Sequence, residues 1–495
     1  MSTLVRLHHL SVPLLRRAAP KVFDGRHLPA LHSHTSSRPP DLTFEDPSAF
    51  SVKSFRELMR ALGVFQLCSF PVLVNNCGKL LSATRSILGK QGFSLIMRPS
   101  IYAQFVAGES EGEIAVAMEK MRSLGLRTML AVPIEEDLGE STGECRYDEN
   151  LEAMLQCVRL SHTKACSDPK MQLKITALLS PELCVSRAST HGQGTVNLVT
   201  CKFVVCLHFL QVKITSNLPE HPFDLAQLVK AMDGEPVHFP GLTEEENAHF
   251  HCGLHRLNKV GEASISKVRV LVDAEYTYMN PALSLVTMAM MKKFNQKEPW
   301  VWNTYQCYLK ESRSLLLDAI SQSVKHSFCL GVKLVRGAYM DKERKLAKGE
   351  GRPDPIHQSW EDTNASYNGS MDIMLNLISQ NPQRYQIIVA THNEESVRHA
   401  ISQMVKLRID KHAGSVCFGQ LLGMCDHVSL TLAQHGYSVY KSVPYGSVDD
   451  TLPYLVRRAQ ENRTVLQGIR KERDLLRQEL WRRLNEGLRL RRQVV

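Results

Sequence analysis

The chain has 495 residues, of which 43% are hydrophobic and 22% charged, a balance that indicates a folded globular protein and argues against a disordered one. The net charge of +10 allows an anionic partner, but the sequence contains no zinc-ligand spacing and no aromatic–basic repeat, which argues against a nucleic-acid-binding protein. The 13 cysteines form no CxxC pair, and their odd number favours reduced thiols over a disulfide framework.

The first 45 residues are predicted to be a targeting segment and a linker. Residues 1–23 carry arginines and a lysine among leucines, serines and histidines, and the first acidic residue is Asp24. This composition is typical of a mitochondrial presequence, with an ordinary basic arm as the alternative. Residues 25–45 are polar and rich in serine and proline, as in an unfolded linker. We therefore expect a mitochondrial protein, on the matrix side of the inner membrane.

The remaining chain divides into a helical extension and a repeating β/α region. Residues 46–125 place apolar side chains at helical spacing, as in SFRELMRALGVF. Eight short β-rich runs then alternate with amphipathic stretches: TMLAVPI (128–134), LKITALL (173–179), VRVLVDAEY (268–276), WVWNTYQ (300–306), LGVKLVRGAY (330–339), QIIVATHN (386–393), SVCFGQL (415–421) and YSVYKSV (437–443). Apolar strands alternating with helices favour a (β/α)8 barrel over residues 126–465, and no GxGxxG follows a strand as a Rossmann fold would require.

One segment does not fit this alternation. Residues 185–211 fall where the second strand should lead into its helix, and LKIT (173–176) returns as VKIT (212–215). Either the barrel tolerates a long insertion here, or the segment is a poorly folded variant such as a translated non-coding insertion. The repeat leaves Lys213 as a rival to Lys174. The best apolar run, 196–210, contains a lysine and a histidine, so it is not expected to cross a bilayer.

The C-terminal residues 466–495 are predicted to form a basic helix. They are rich in arginine at helical spacing with leucine. A basic surface helix is the plain interpretation, and contact with a membrane surface is the alternative.

Polar residues gather at the ends of five of the predicted strands. They are Asp273, Asn303, Arg336, His392 and Gln420. The carboxyl ends of barrel strands meet at one face, where active sites form, so this set predicts a catalytic site. His392 is not expected to bind a metal, because no second histidine shares its spacing.

Five motifs together resemble the proline dehydrogenase family. They are VDAEYT (272–277), KLVRGAYMDKER (333–344), ATHNEESV (390–397), CFGQLLGM (417–424) and YLVRRAQEN (454–462). They occur in the family's order, and the resemblance covers about 128–462. It implies a flavin enzyme, with FAD as cofactor, on a (β/α)8 barrel whose last helix lies over the barrel mouth.

The resemblance also implies the roles of several side chains around the substrate. Arg457 and Arg458 would clamp the substrate carboxylate, since guanidinium groups pair bidentately with carboxylates. Glu461 follows on the same helix face and would hold an arginine in place. Lys174 and Asp273 match the family's site residues on strands two and three and suggest a buried ion pair. The matches to aromatic walls and to an apolar lid contact are Tyr339, Tyr454 and Leu421.

For the cofactor, the resemblance implies a second set of residues. Arg336 would contact the pyrophosphate or the ring, and Lys333 would lie near the reactive nitrogen. Asn303 would hydrogen-bond the ring edge. The adenosine half would be held by Thr363, His392 and Asn393.

Ser442 is a departure from the pattern of proline-specific members, which carry tyrosine here. A serine leaves room for a substituted ring and can hydrogen-bond its hydroxyl, and hydroxyproline-specific members carry it. We therefore expect oxidation of trans-4-hydroxy-L-proline, with electrons passed to a membrane quinone by a membrane-adsorbed protein. The alternatives are a proline dehydrogenase, a flavin-free Schiff-base lyase using Lys174 or Lys333, and an inactive misfolded variant.

Overall fold

The computed structural model describes residues 42–134, 143–162, 166, 168–184, 224–464 and 466–493. Eight parallel strands hydrogen-bond in chain order, and the last pairs with the first, which closes the barrel. The strands are β1 (Arg127–Ala131), β2 (Lys170–Leu173), β3 (Arg269–Val272), β4 (Val301–Gln306), β5 (Leu330–Val335), β6 (Tyr385–Ala390), β7 (Val416–Leu421) and β8 (Val439–Pro444). The predicted (β/α)8 barrel is confirmed. The presequence and the odd segment 185–211, with Lys213, lie outside the described residues.

The helices follow the strands as the alternation predicts. In chain order they are α1 (Phe55–Cys68), α2 (Pro71–Asn75), α3 (Cys77–Met97), α4 (Ala103–Phe105), α5 (Glu111–Ser123), α6 (Glu144–Ser161), α7 (Pro181–Cys184), α8 (Leu225–Met232), α9 (Glu244–Ser264), α10 (Asn280–Phe294), α11 (Ser312–Lys325), α12 (Met340–Gly349), α13 (Trp360–Gln380), α14 (Glu394–Lys406), α15 (Asp426–Gln434), α16 (Val448–Thr464) and α17 (Leu466–Gln493). Local sequence fixes several starts: Ser54 and Glu57, for example, form a capping box at α1.

The second strand was predicted too late. The apolar run 173–179 is not a strand: β2 ends at Leu173, and Ile175–Ala177 form a 3-10 turn. Ile175 and Leu178 are nonetheless fully buried, because this turn packs under the helix layer. Hydrophobicity therefore could not mark where the strand ends. Lys174 consequently follows the strand directly, at the mouth end of the barrel.

The lower half of the barrel is a packed plug. Met129, Leu271, Trp302, Ile388, Cys417 and Tyr440, from six different strands, form one buried cluster in the interior. The Lys170 ammonium lies 5.1 Å from the Trp302 ring and 4.6 Å from the Tyr440 ring. Gly331 has to be glycine, since a Cβ there would lie 2.4 Å from the Trp302 ring. In barrels of this class the active site forms at the other end, where the strands finish.

The N-terminal extension and α16 pack on each other at that end. Phe93 and Met97 of α3 share a buried cluster with Val448 and Leu455 of α16. The Tyr102 hydroxyl donates a hydrogen bond to the Gly446 carbonyl, at 2.6 Å, in the turn that leads from β8 into α16. The expected last helix over the barrel mouth is therefore present, with α2 and α3 behind it.

Candidate active site at the barrel mouth

Strand alternation sorts the polar residues of the strand ends into an inner and an outer group. Trp302 belongs to the interior plug, so Thr304 and Gln306 face inward with it, and Asn303 faces outward. The Asn303 amide accordingly donates to Ser284 Oγ on α10, at 3.3 Å. This position does not fit the ring-edge role expected for Asn303. Gln306 is on the inner face, and sequence reasoning missed it.

Gln420 is likewise on the outer face of the barrel. Its amide donates to the Thr391 carbonyl at 3.2 Å and accepts from Ser429 Oγ of α15 at 3.0 Å. It ties β7 to the strand beside it and to the helix outside it. Its place at a strand end therefore serves packing of the barrel wall.

An ion pair spans the interior just inside the mouth. Lys333 Nζ on β5 lies 2.5 Å from Asp273 Oδ1, in the residue after β3. The Lys333 side chain is 7% exposed and that of Asp273 is 25% exposed. The expected pair between Lys174 and Asp273 is therefore replaced by one between Lys333 and Asp273. The sequence could not show this, because β3 and β5 are not adjacent strands and meet only across the closed barrel.

Lys174 serves a neighbouring cluster. Its ammonium donates a hydrogen bond to the carbonyl of Ile134, in the segment that follows β1, at 3.0 Å. Nearby, the buried Glu275 carboxylate accepts from Thr176 Oγ1 at 2.7 Å. Burial raises the pKa of Glu275, and the positive charge of Lys174 opposes that rise. Glu275 lies within the VDAEYT motif, yet only the fold shows that its side chain is sealed beside Lys174.

Ser442 lies on the inner wall of the barrel. It pairs in register with Met129 of β1 and Leu421 of β7, and its side chain is buried. Its hydroxyl donates to Gln172 Oε1 of β2, at 2.8 Å. Gln172 was missed in the sequence, although a glutamine between the apolar Met171 and Leu173 is the signal that could have pointed to it.

The side of the mouth formed by α16 carries the two adjacent arginines. The Arg458 guanidinium lies over the Tyr454 ring, 5.0 Å from its centre. Burial raises the pKa of Tyr339, at the end of the loop after β5, and the positive charge of nearby Arg457 opposes that rise. The Tyr339 ring packs 4.6 Å from that of Tyr276. The expectation for Glu461 concerns a side chain outside those that the structure describes.

Leu421 and Tyr454 close the mouth between β7 and α16. Both are partly buried against the cluster that joins α16 to the N-terminal extension. Leu421 is the last residue of β7, and its N–H donates to His392 Nε2 at 3.2 Å. Accepting this bond requires the tautomer with its proton on Nδ1. Burial, reinforced by Lys441 and Arg458, lowers the pKa of His392 to about 3, so the ring is neutral at physiological pH.

A fixed guanidinium marks a second part of the mouth, between β5 and α14. Arg336 donates to Thr391 Oγ1 at 3.1 Å, to Ser396 Oγ at 2.7 Å, and to the Asn364 side chain. Burial lowers its pKa. Among the described residues, no carboxylate lies within ion-pair distance of Arg336. The cation is thus held by neutral groups alone.

The helix termini beside Arg336 add to this positive region. Asn393 caps α14, its Oδ1 accepting from Ser396 N at 2.8 Å. Thr363 lies buried in the first turn of α13, where its hydroxyl donates to the Ser359 carbonyl at 3.3 Å. A guanidinium with neutral partners next to a helix N-terminus is suited to a phosphate-bearing ligand.

Taken together, the fold and this mouth define an enzyme of the (β/α)8 class with guanidinium groups at two places of its mouth. The family model described as proline dehydrogenase matches residues 114–471. The chain belongs to the proline dehydrogenase family, as the motifs indicated.

Curated relatives place it within that family. The chain is 54% identical over 450 residues to a hydroxyproline dehydrogenase of Xenopus laevis, covering 90% of each protein. It is 31% identical over 560 residues to the mitochondrial proline dehydrogenase 1 of Homo sapiens, covering 93% of each. Relatives named for hydroxyproline are thus closer than this one named for proline.

A solved structure agrees with the fold. Proline utilization A from Bdellovibrio bacteriovorus, inactivated by N-propargylglycine, matches with a TM-score of 0.54 at 18% identity. The match covers 83% of this chain and 38% of that much longer protein. It supports the barrel architecture and nothing finer.

Proposed function

We propose that this protein is an FAD-dependent dehydrogenase that oxidises trans-4-hydroxy-L-proline to Δ1-pyrroline-3-hydroxy-5-carboxylate. The observation that carries the choice of substrate is Ser442. Its small hydroxyl side chain lies on the inner wall, bonded to Gln172, and leaves the space that a larger residue would fill. A site that hydrogen-bonds a substrate hydroxyl discriminates strongly against the analogue without it. The 54% identity to a protein named hydroxyproline dehydrogenase supports the same choice.

The substrate carboxylate is assigned to α16. Arg457 and Arg458 are neighbours at the mouth, and each is near an aromatic ring. Two guanidinium groups can hold one carboxylate through paired hydrogen bonds. Leu421 and Tyr454 cover the apolar part of the ring and limit access of water.

The amine of the substrate is assigned to the interior ion pair. Asp273 is the partner of Lys333, and a quarter of its side chain is exposed at the mouth. This carboxylate can accept a hydrogen bond from the substrate ammonium and favour its orientation. Lys174 and Glu275 form the adjoining wall.

Proline dehydrogenases are flavoenzymes in general, and the donor set of the mouth fits FAD. Arg336, with neutral partners only among the described residues, and the start of α14 would hold the diphosphate. Thr363, His392 and Asn393 would hold the adenosine half. Lys333 is assigned to the ring, near its reactive nitrogen. Gln306 faces inward with it, and its amide bonds the Glu275 carbonyl and the Asn280 side chain. When bound, the flavin supplies the acceptor for the hydride that leaves the ring carbon next to nitrogen.

The proposal includes an electron acceptor and a location, which chemistry and composition support. A membrane quinone is the proposed acceptor, and the basic N-terminal segment supports a mitochondrial address on the matrix side of the inner membrane. In the described part of the chain, no helix has the length and apolar character needed to span a bilayer.

The test is the visible spectrum of the purified protein. We expect flavin absorbance that bleaches on anaerobic addition of hydroxyproline, and more slowly with proline. Faster bleaching by proline would assign the protein as a proline dehydrogenase instead. Absence of flavin, with borohydride trapping substrate on Lys174 or Lys333, would support the Schiff-base lyase.

A further inference from the structure

Inward-facing side chains of β2, β4 and β8 form two layers inside the barrel. The lower layer consists of Lys170, Trp302 and Tyr440, with the ammonium group over both aromatic rings. Two positions further along the same strands, and therefore on the same side, lie Gln172, Thr304 and Ser442. Layers of side chains from alternate strands are usual in (β/α)8 barrels. This upper layer lies within two residues of the strand ends, so it forms the floor of the mouth.

The polar groups of this upper layer differ in how far their hydrogen-bonding capacity is used. The Thr304 hydroxyl donates to the Val272 carbonyl at 2.6 Å, within the barrel wall. The Ser442 hydroxyl donates to Gln172 Oε1 at 2.8 Å. Among the described residues, the Gln172 amide nitrogen has no hydrogen-bond partner. Gln172 is half-buried, and the layer beneath it is fully buried, so its exposed part is on the mouth side.

Two other glutamines at strand ends show what a structural role looks like. The Gln420 amide donates to the Thr391 carbonyl and accepts from Ser429 Oγ, so both its ends bond the barrel wall. The Gln306 amide donates to a backbone carbonyl at 3.1 Å and accepts from Asn280 at 2.9 Å. Gln172 differs from both, because only its oxygen is bonded within the described part of the chain. Its nitrogen is available for a ligand.

The bond between Ser442 and Gln172 fixes what each can offer to a ligand. A serine hydroxyl has one proton and two lone pairs, and Ser442 uses its proton on Gln172. Toward a ligand, Ser442 can therefore only accept a hydrogen bond. The same bond turns the amide oxygen of Gln172 toward Ser442, which leaves its two N–H groups as donors. The pair thus presents one acceptor and one donor side by side.

We propose that Gln172 and Ser442 together bind the ring hydroxyl of the substrate. Gln172 donates a hydrogen bond to the hydroxyl oxygen, and Ser442 accepts the one that the hydroxyl donates. A hydroxyl group is satisfied by this combination of one donor and one acceptor. Proline, which has only hydrogen at that carbon, leaves both protein groups without a partner, and this lowers its relative affinity. The inference rests on the proposed oxidation of hydroxyproline and adds Gln172 as a second residue that determines specificity.

The pair should also distinguish the two faces of the substrate ring. Gln172 and Ser442 belong to β2 and β8, which flank β1, whereas the amine of the substrate is assigned to Asp273 after β3. With the amine held there and the carboxylate held by α16, one face of the ring is turned toward the pair. A hydroxyl on the opposite face points away from both groups. The trans-4 isomer should therefore be bound in preference to the cis-4 isomer, which has the same atoms.

The test compares trans-4-hydroxy-L-proline, cis-4-hydroxy-L-proline and L-proline as substrates of the flavin-loaded, full-length protein. Gln172→Met keeps the length of the side chain but removes its donor and acceptor. We expect kcat/KM for the trans isomer to fall about tenfold to a hundredfold, and kcat/KM for proline to change by less than about threefold, with flavin content unchanged. The matched control is Gln403→Met, at a half-buried position in the last turn of α14, which should leave every ratio as in wild type.

Binding can also be measured without turnover. After reduction with dithionite the flavin cannot accept a hydride, so calorimetry reports substrate binding alone. The Kd of the trans isomer should rise about tenfold or more in Gln172→Met, while the Kd of proline stays the same. If Gln172→Met folds poorly, Gln172→Glu retains the acceptor for Ser442 and removes the donor, and it should likewise lose preference for trans over cis. The double variant Gln172→Met/Ser442→Ala should lose less than the product of the two single losses, because the two side chains act as one unit.

The outcomes separate this inference from the proposed function. A wild type that prefers the trans isomer, with Gln172 variants that keep the same preference, would overturn the role of Gln172 and leave the proposed function standing. Equal losses for proline and hydroxyproline in Gln172→Met would also overturn it, since they would show a structural role alone. A wild type that oxidises proline faster than hydroxyproline would overturn the proposed function, and this inference with it.

Discussion

Two lysine–aspartate pairs lie at the same end of the barrel, one on each face of its wall. Inside, Lys333 meets Asp273 at 2.5 Å, and outside, Lys441 of β8 meets Asp426 of α15 at 2.7 Å. The side chain of Asp273 is 25% exposed at the mouth, whereas that of Asp426 is 10% exposed and takes a second cation, Lys53, at 2.6 Å. The same chemistry therefore leaves one carboxylate open to a ligand and seals the other.

The outer pair joins segments that are far apart in the chain. Lys53 belongs to the extension, and Glu472 of α17 accepts hydrogen bonds from Cys425 N and Asp426 N, both at 2.8 Å. Burial would raise the pKa of Asp426, but Lys441 and Lys53 hold it well below its usual value. Burial raises the pKa of Glu472 as well, although His427, Lys441 and the Asp426 N–H oppose that rise. The outer pair thus joins the N-terminal extension and α17 to the barrel, whereas the inner pair is part of the site.

The largest expected effect comes from breaking the outer pair. Asp426→Asn leaves two buried ammonium groups without their carboxylate, which should lower the free energy of unfolding by about 3–5 kcal/mol. Urea unfolding measures this loss. Asp474→Asn is the control, because its pair with Arg477 is exposed and worth ~0.5 kcal/mol or less. Asp273→Asn should instead reduce turnover with a smaller loss of stability. If Asp273→Asn and Asp426→Asn lowered the free energy of unfolding equally, the two pairs would not differ in their structural role.

The next effect tests the opposite wall of the inner site. Arg457→Met and Arg458→Met each remove a charged partner of the substrate carboxylate, which should cost about 2–4 kcal/mol in binding. Steady-state kinetics should show a large increase in KM, with flavin content retained. Arg470→Met, on the exposed side of α17, serves as the control. Unchanged KM in both α16 variants would show that the carboxylate is bound elsewhere.

Ser442→Tyr sharpens the comparison by changing only the inner face. The phenol would displace the bond to Gln172 and fill the space assigned to the substrate hydroxyl. The ratio of kcat/KM for hydroxyproline to that for proline should fall by roughly tenfold to a few hundredfold. Reduction of a quinone analogue with each substrate gives the ratio. Ser442→Ala, which keeps the space but not the hydroxyl, should lower it less. A ratio that stays constant in both variants would rule out Ser442 as the selector.

The smallest effect is a pH dependence of stability that comes from His392. The positive charges of Lys441, in the outer pair, and Arg458, in the inner site, both lower the pKa of His392. Its folded pKa of about 3 lies below the usual 6.5, so the unfolded chain binds the proton first and stability is lost as pH falls below about 6.5. Between pH 7 and pH 5 this group should contribute a loss of up to about 2 kcal/mol. His392→Gln, which can still accept from Leu421 N–H, should show a smaller loss, and the exposed His412→Gln should behave as wild type. Identical pH profiles for all three proteins would contradict this assignment.

Much of the barrel could be predicted from local pattern. The centres of runs such as QIIVATHN (386–393) and SVCFGQL (415–421) are apolar because both faces of a parallel strand are buried. Both predicted starts lie within one residue of β6 and β7, and β7 ends where predicted, whereas β6 ends three residues earlier, at Ala390. The position of β2 was predicted wrongly because burial also makes the turn after it apolar, so hydrophobicity did not separate the strand from the turn. The motifs identified the family, and with it the arginines of α16.

The sequence by itself determined that eight strands alternate with helices, that the chain is a proline dehydrogenase family member, and that small Ser442 stands where a larger residue is expected. Only the tertiary structure decided which polar residues share the interior. Asn303 and Gln306 are three positions apart on one strand and face opposite sides. Asp273 pairs with Lys333 and not with Lys174, as was expected, because barrel closure brings β3 and β5 together. Strand alternation sets the side that each residue faces, but the partner across the barrel depends on curvature and register, which no local stretch of sequence contains.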